Sequence, residues 1–391
     1  MTSTEKKGVP LRVCHVCSNY DNFYINFMNQ QISVGLDIRV FYFRAKERGL
    51  PNLDASYLDI RLNYSQWDRA FFYMKERKIL DDFLKLYSDD KFDILHAHTL
   101  FSNGYIALKV KQKLGIPYIV AVRDMDVNIF FKYRINLRKL GIDVLKEASN
   151  IIFISEKYRD QVISKYVPED LRKEFINKSV VLPNGIDKFY LNNIYVRDVY
   201  NLKKKEEINI ITVGYVCKRK NQLTVCKAVE MLNAMGIKTK YTIIGKVLDN
   251  KVFNKIIKYD FVNYIPFLSK DELIDEYRKA DIFVMPSITE TFGLTYAEAM
   301  SQGLPVIYSK NQGFDGQIEE GKIGFHVDKK NVEDIKNKIL RIMSNYEYIS
   351  KNCTKLVSKF DWVSITNQYI EIYKRTSSDI ENNVNESGCL S

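Results

Sequence analysis

Short apolar, β-branched runs alternate with longer stretches of helical spacing along nearly the whole chain. Leu11–Cys17, Asp37–Phe43, Phe92–His96, Tyr118–Val122 and Asn150–Ile154 are short, apolar and bounded by polar or glycine signals, a pattern that predicts strands. Asp68–Tyr87 and Gly104–Leu114 carry helical periodicity, and Gly115-Ile116-Pro117 ends the second of these helices. A short strand, Val180–Leu182, then leads into the turn Pro183-Asn184-Gly185-Ile186-Asp187. From Ile208 the alternation restarts, with strands expected at Ile208–Val213, Lys240–Ile244, Tyr264–Phe267, Ile282–Met285 and Val306–Tyr308. Repeated strand–helix–strand units predict α/β architecture with parallel sheets covered on both faces. The organisation expected is a first doubly wound, Rossmann-like domain over 1–187, a linker over 188–206 and a second such domain over 207–359. An amphipathic helix over 360–375, with Trp362 and Tyr369 on its apolar side, is expected to return to the first domain, followed by a disordered polar tail over 376–391. Two such domains face one another across a cleft, and ligands bind outside the carboxyl ends of the strands, so the loops after each strand are where chemistry is expected.

Length and composition agree with two cores. The chain has 391 residues, 46% of them apolar. Six scattered cysteines show no disulfide framework, which suits a reducing compartment. Cys14-His15-Val16-Cys17 has metal-ligand spacing, but the run is strand-like and lacks a second ligand pair, so buried strand cysteines are the preferred reading. No run of ~18 apolar residues exists to span a bilayer, and the basic N-terminus is not followed by a signal-peptide core; the cytoplasm is the expected location. The net charge of +11 admits nucleic acid, an anionic membrane or a phosphorylated ligand as partner. The cations collect at a diphosphate-sized loop instead of a nucleic-acid reader motif, so no nucleic-acid partner is expected. Two stretches in the first domain, Trp67–Lys75 and Phe130–Ile135, mix cations with aromatics. They read equally as core packing or as a face for an anionic membrane surface.

Four loops carry candidate chemistry. Glu290-Thr291-Phe292-Gly293-Leu294-Thr295-Tyr296-Ala297-Glu298 follows an apolar strand and a Pro286-Ser287 turn, and opens a helix near Leu294. The amides of Phe292, Gly293 and Leu294 are orphan donors at a helix start and suit a diphosphate. Val213-Gly214-Tyr215-Val216-Cys217-Lys218-Arg219-Lys220 follows the first strand of the second domain and supplies three consecutive cations for the same anion. Asp93-Ile94-Leu95-His96-Ala97-His98 ends a strand of the first domain, and alternation is taken to turn His96 away from His98. Arg123-Asp124-Met125-Asp126 ends the next strand and has two readings: an Asp-x-Asp metal site, or a polar loop facing an acceptor; the loop is preferred.

The segment from Ala280 to Ile307, with its two glutamates at 290 and 298, resembles the family 4 retaining glycosyltransferases of GT-B fold, bacterial surface-polysaccharide type. The resemblance spans about residues 10–375 and is densest in the second domain. It implies that Glu290 and His98 act beside the transferred sugar and that Glu298 accepts hydrogen bonds from the ribose. It further implies that Gly214 and Lys220 hold the donor diphosphate, where Arg219 and the Phe292–Leu294 amides are expected to join them, and that Arg123, Asp124 and Asp126 lie on the acceptor side. The partners implied are a nucleotide-sugar donor, most often UDP-linked, and a glycan or lipid-linked acceptor; neither a cofactor nor a metal is expected. Tyr215 stands where the family has arginine, and Ser18-Asn19-Tyr20-Asp21 lacks the family's paired glycines. Other readings are a GT-B-fold nucleotide-sugar epimerase and a non-catalytic nucleotide-sugar-binding subunit.

Overall fold

A computed structural model describes residues 10–198 and 202–388. It divides into two compact units. One contains the chain up to Ile154, Arg159–Leu182 and the stretch from Trp362; the other contains Ser155–Tyr158 and Pro183–Asp361. The first expected domain, 1–187, therefore loses two short segments to the second unit.

The first unit is built on seven parallel strands: β1 (Arg12–Cys17), β2 (Asp37–Ala45), β3 (Leu58–Tyr64), β4 (Ile94–Ala97), β5 (Tyr118–Val122), β6 (Asn150–Phe153) and β7 (Ser179–Val181). Their order is β3-β2-β1-β4-β5-β6-β7. Central strands are buried on both faces because helices cover the sheet, and every residue of β5, all of them apolar or aromatic, is buried. The strand missing from the sequence expectation, β3, is an edge strand. Its Asp59, Arg61 and Asn63 alternate with apolar residues, so it gives no apolar run. The helix expected over Asp68–Tyr87 is two elements. A 3-10 turn, Gln66–Ala70, is held by reciprocal Ser65 and Asp68 capping bonds, and the α-helix proper is Phe72–Leu86.

The C-terminal helix, Trp362–Gly388, packs on the first unit's Asn22–Ser33 helix. Trp362 and Tyr369 both lie against Phe27, with ring centroids 5.2 and 5.0 Å away. The disordered tail expected from 376 needs correction, because the helix continues to Gly388; the rest of that tail, 389–391, lies outside the described residues. Thr376 is buried and bonds Asn150 Oδ1 at 3.3 Å, which carries the helix past the expected end.

The second unit has six parallel strands: β8 (Ile208–Val213), β9 (Thr239–Ile244), β10 (Val262–Ile265), β11 (Ile282–Val284), β12 (Val306–Ser309) and β13 (Gly324–Val327), ordered β10-β9-β8-β11-β12-β13. The linker expected over 188–206 is, in its described part, packed into this unit. Lys188–Asn192 is helical and Tyr190 is buried. Arg197 donates to the carbonyls of Gln302 (2.9 Å) and Tyr277 (2.7 Å). Polar composition suggested a free strand of chain, whereas these groups satisfy carbonyls at helix ends.

Candidate functional site

Strand order reverses between β8 and β11 in the second unit, and the loops leaving those two strands hold its charged cluster. The loop after β8 ends in the 3-10 turn Lys218–Lys220, and Asn221 starts the Gln222–Ala234 helix in a left-handed conformation, φ 62°. Asn221 Nδ2 donates to the carbonyls of Pro286 (2.9 Å) and Lys329 (2.7 Å), and the Ile288 amide donates to the Arg219 carbonyl at 2.7 Å. These bonds sew the β8 loop to the β11 loop. The result is a buried ion pair: Lys220 Nζ lies 2.6 Å from Glu290 Oε2, with the two side chains only 9% and 8% exposed. Ser287 Oγ donates to the same oxygen at 3.0 Å, and Met285 Sδ is 3.4 Å from the ammonium. Arg219 is half exposed; its Nη1 donates to the Thr289 carbonyl at 3.0 Å and stands 3.7 Å from Glu290 Oε2. Gly214 runs under the Lys220 stem, where a β-carbon would lie 3.3 Å from Lys220 Cε.

The backbone of Glu290 is held from the next loop. Its amide donates to Gln312 Oε1 at 2.9 Å, while its carbonyl accepts from Gly313 N at 3.2 Å and from Tyr158 Oη at 2.9 Å. A β-carbon at Gly313 would sit 1.7 Å from the Thr291 carbonyl oxygen, so only glycine lets the two loops approach this closely. Gln312, Ser287 and Tyr158 support Glu290 from three separate segments. Only Ser287, inside the Pro-Ser turn, carried a local signal.

The helix Leu294–Ser301 begins beside this pair. Gly293 caps it with φ 81° and no side-chain hydrogen bond; the Tyr296 amide turns back to the Gly293 carbonyl at 3.0 Å, which leaves the Leu294 and Thr295 amides as the orphan donors of the first turn. Phe292 contributes only its backbone, since its ring is buried between Phe314 and Phe360. Glu298, half-buried on the same helix, accepts from Tyr277 Oη at 3.3 Å. Burial pushes its carboxyl up to about 7; nearby Asp187 adds to the rise, while the Tyr277 bond and the Lys270 and Lys220 charges oppose it. Asp187 itself caps the Lys188–Asn192 helix and pairs with Lys270, so the 183–187 turn supports Glu298's surroundings as well as the chain's course.

In the first unit the order reverses between β1 and β4, and there the side chains are neutral imidazoles. His15, His96 and His98 are all fully buried. The expectation that His96 turns away from His98 is corrected: residues two apart share a face, and the two rings stack with centroids 4.0 Å apart. Burial drives all three far toward the neutral form, His15 to about 3, and Gln31 alone works against this at His15. Their nitrogens converge to within 4.8 Å, a spacing a metal ion could use, but both nitrogens of His15 are already bonded, to His98 and Gln31.

Arg123 stands beside the histidine cluster, where its charge further disfavours protonation of His96 and His98. Asp124 accepts from Asn128 Nδ2 at 2.6 Å. Asp126 leaves the acceptor-side set. It is buried, and its carboxylate accepts from the amides of Arg123 (2.9 Å), Leu100 (3.0 Å) and Phe101 (3.4 Å), tying two loops together. That geometry also removes the Asp-x-Asp metal reading, since Asp126 has turned inward. Burial raises its carboxyl to about 6 despite these three bonds. Cys14 and Cys17 are buried free thiols, their pKa values raised by burial.

Comparison with known proteins covers both units. The profile described as Glycosyl transferases group 1 matches residues 197–357, and that described as Glycosyltransferase Family 4 matches residues 23–188. The chain is 27% identical over 282 residues to the alpha-monoglucosyldiacylglycerol synthase of Acholeplasma laidlawii, covering 67% of this chain and 70% of that protein. It is 22% identical over 325 residues to the UDP-Gal:alpha-D-GlcNAc-diphosphoundecaprenol alpha-1,3-galactosyltransferase of Escherichia coli, covering 77% and 80%. Among solved structures, the sucrose-phosphate synthase of Thermosynechococcus elongatus superposes with a TM-score of 0.74 at 16% identity, over 94% of this chain and 100% of that one, a likeness of fold.

Proposed function

The chain belongs to the family 4 glycosyltransferases, and on that premise we propose that it moves a sugar, with retention, from a UDP-linked donor to a hydroxyl of a glycan or lipid-linked acceptor in surface-polysaccharide synthesis. The observation that carries the donor side is the buried Lys220–Glu290 pair beside the uncapped start of the Leu294–Ser301 helix. A diphosphate needs cations and amide donors together, and this corner of the second unit offers Arg219, Lys220 and first-turn amides. In this reading Arg219 and Lys220 stabilise the departing diphosphate. Glu290 and His98 orient the sugar, and Glu298 receives the ribose hydroxyls, for which an ionised carboxylate is an acceptor-only partner. The acceptor oxygen attacks on the face the diphosphate leaves.

UDP and a lipid-linked acceptor are the chemistry named for the Escherichia coli relative, and a diacylglycerol product for the Acholeplasma one. That the named relatives are transferases weighs against an epimerase. A membrane-borne acceptor also suits the surface of the first unit. The two aromatic–cationic stretches lie side by side, with the Phe72 and Phe130 rings 6.4 Å apart. Trp67, Phe71, Tyr73, Tyr133 and Ile135 are exposed there among exposed Arg69, Lys132 and Arg134. No helix among the described residues is long and apolar enough to cross a membrane; the contact proposed is that of this aromatic–cationic face with the leaflet surface.

A thermal-shift screen of UDP, UDP-sugars and GDP-sugars tests the donor: UDP compounds should stabilise the chain, by ~2.7 kcal/mol at a hundredfold excess over Kd. Stabilisation by GDP-sugars alone would remove the UDP assignment. Flotation with vesicles tests the membrane contact, which should strengthen with anionic lipid; indifference to lipid charge would refute it.

A further inference from the structure

The three histidines of the first unit belong to a longer chain of hydrogen bonds that ends on the C-terminal helix. Gln31 Nε2 donates to the Tyr373 oxygen at 3.4 Å. This leaves Gln31 Oε1 to accept from His15 Nε2 at 3.0 Å. With its proton on Nε2, His15 presents a lone pair at Nδ1 and accepts from His98 Nε2 at 3.0 Å. The other branch starts at the same phenol, whose O–H donates to His96 Nδ1 at 2.7 Å. All five side chains are fully buried, so water does not compete for these bonds. Among the described residues, two nitrogens of the cluster have no partner: His98 Nδ1 and His96 Nε2. The direction of the chain makes the first a lone pair and the second an N–H. Tyr24 stands edge-on over His98, its centroid 5.1 Å away and its ring plane at 88°.

We propose that Tyr373, Gln31 and His15 are positioning residues that hold His98 as its Nε2–H tautomer, so that Nδ1 offers a lone pair to a hydroxyl of the transferred sugar. This rests on the reading that His98 works beside that sugar. The phenol sets the polarity: without it, Gln31 is free to flip its amide and donate to His15 Nε2. His15 then carries its proton on Nδ1, His98 Nε2 becomes the acceptor, and the open Nδ1 of His98 changes from acceptor to donor. A hydroxyl can meet either end, but one orientation of the sugar suits only one of them.

The test uses the full chain labelled with ¹⁵N-histidine, whose four histidines give a resolvable set of long-range ¹H–¹⁵N correlations. The unaltered protein should show His98 protonated on Nε2. Tyr373→Phe, and independently Gln31→Met, should populate the Nδ1–H form. Gln31→Glu added to Tyr373→Phe should restore Nε2–H, because a carboxylate can only accept from His15. UDP release from UDP-glucose and UDP-galactose is measured in parallel. There kcat should fall about tenfold in Tyr373→Phe with KM nearly unchanged, the worth of one hydrogen bond, and recover in the double variant. A His98 tautomer indifferent to both single variants overturns the proposal, as does a stoichiometric metal ion bound by the three imidazoles. UDP release untouched by His98→Gln would instead overturn the placing of His98 at the sugar, with the tautomer spectra still deciding the relay.

Discussion

The two units carry the same strand order through their centres, yet the polar groups at their reversal points differ in kind. Between β8 and β11 lies a Lys–Glu ion pair edged by a half-exposed arginine and backed by glycines that bring loops into contact. Between β1 and β4 lie three neutral imidazoles sealed under aromatic rings, with no glycine in the Ser18–Asp21 loop. A fold can place ligands at the carboxyl end of a sheet, but side chains decide which ligand. The second unit is equipped for an anion. The first offers neutral, directional hydrogen-bonding groups with one cation, Arg123, beside them, which suits hydroxyls.

This contrast can be broken or sharpened in several ways, and the largest effect expected is on acid stability. His15, His96 and His98 are held neutral in the fold and protonate near their ordinary pKa when unfolded. Their contribution to stability is therefore complete above about pH 6.5 and is lost as pH falls. Each should remove about 1.4 kcal/mol per pH unit once its unfolded form is protonated. Asp126 and Glu298, with raised folded pKa values, act in the opposite sense: their contribution is whole at low pH and lost as pH rises towards 6 and 7. Chemical denaturation between pH 5 and 8 should show the histidine slope reduced in a His15→Gln variant; an unchanged slope would mean the imidazoles do not govern it.

Next comes Lys220→Met, which leaves the buried Glu290 carboxylate only the more distant Arg219 as a cation and should cost up to about 3 kcal/mol of stability. Adding Glu290→Gln should recover much of that loss in the same denaturation assay, since no unpaired charge is left; a double variant as unstable as the single one would deny the pair its buried character. Glu290→Gln alone should lower turnover by about 10²–10³-fold, measured as product formed per enzyme under saturating donor. An unaltered rate would remove Glu290 from the mechanism and leave it a structural partner of Lys220.

A smaller effect is expected from Glu298. With its carboxyl raised to about 7, the ionised acceptor form grows in between pH 6 and 8, so UDP affinity by calorimetry should rise across that window and level off above it. Glu298→Gln should flatten the profile; a slope that persists points to another group. The smallest effect on stability belongs to Trp67→Ser, at 85% exposure, which should shift it by no more than ~0.5 kcal/mol while weakening binding to anionic vesicles.

Periodicity along the chain determined both α/β halves, because central parallel strands are apolar on both faces and announce themselves as runs. It failed at β3, where an edge strand needs only one apolar face, and at 188–206, where polar residues serve buried carbonyls. The Glu290–Glu298 segment was legible because strand, turn, glycine and helix start lie within one local stretch. What only the tertiary structure decided depends on distance along the chain. Lys220 meets Glu290 across 70 residues, and Gly313 locks Glu290's loop from a third strand end. His98 is tied through His15 and Gln31 to a phenol on the C-terminal helix. Asp126, read as facing a ligand, proved to be a backbone cap. A side chain's type limits what it can bond, but the partner it finds is chosen by packing between elements remote in sequence, and no local pattern records that choice.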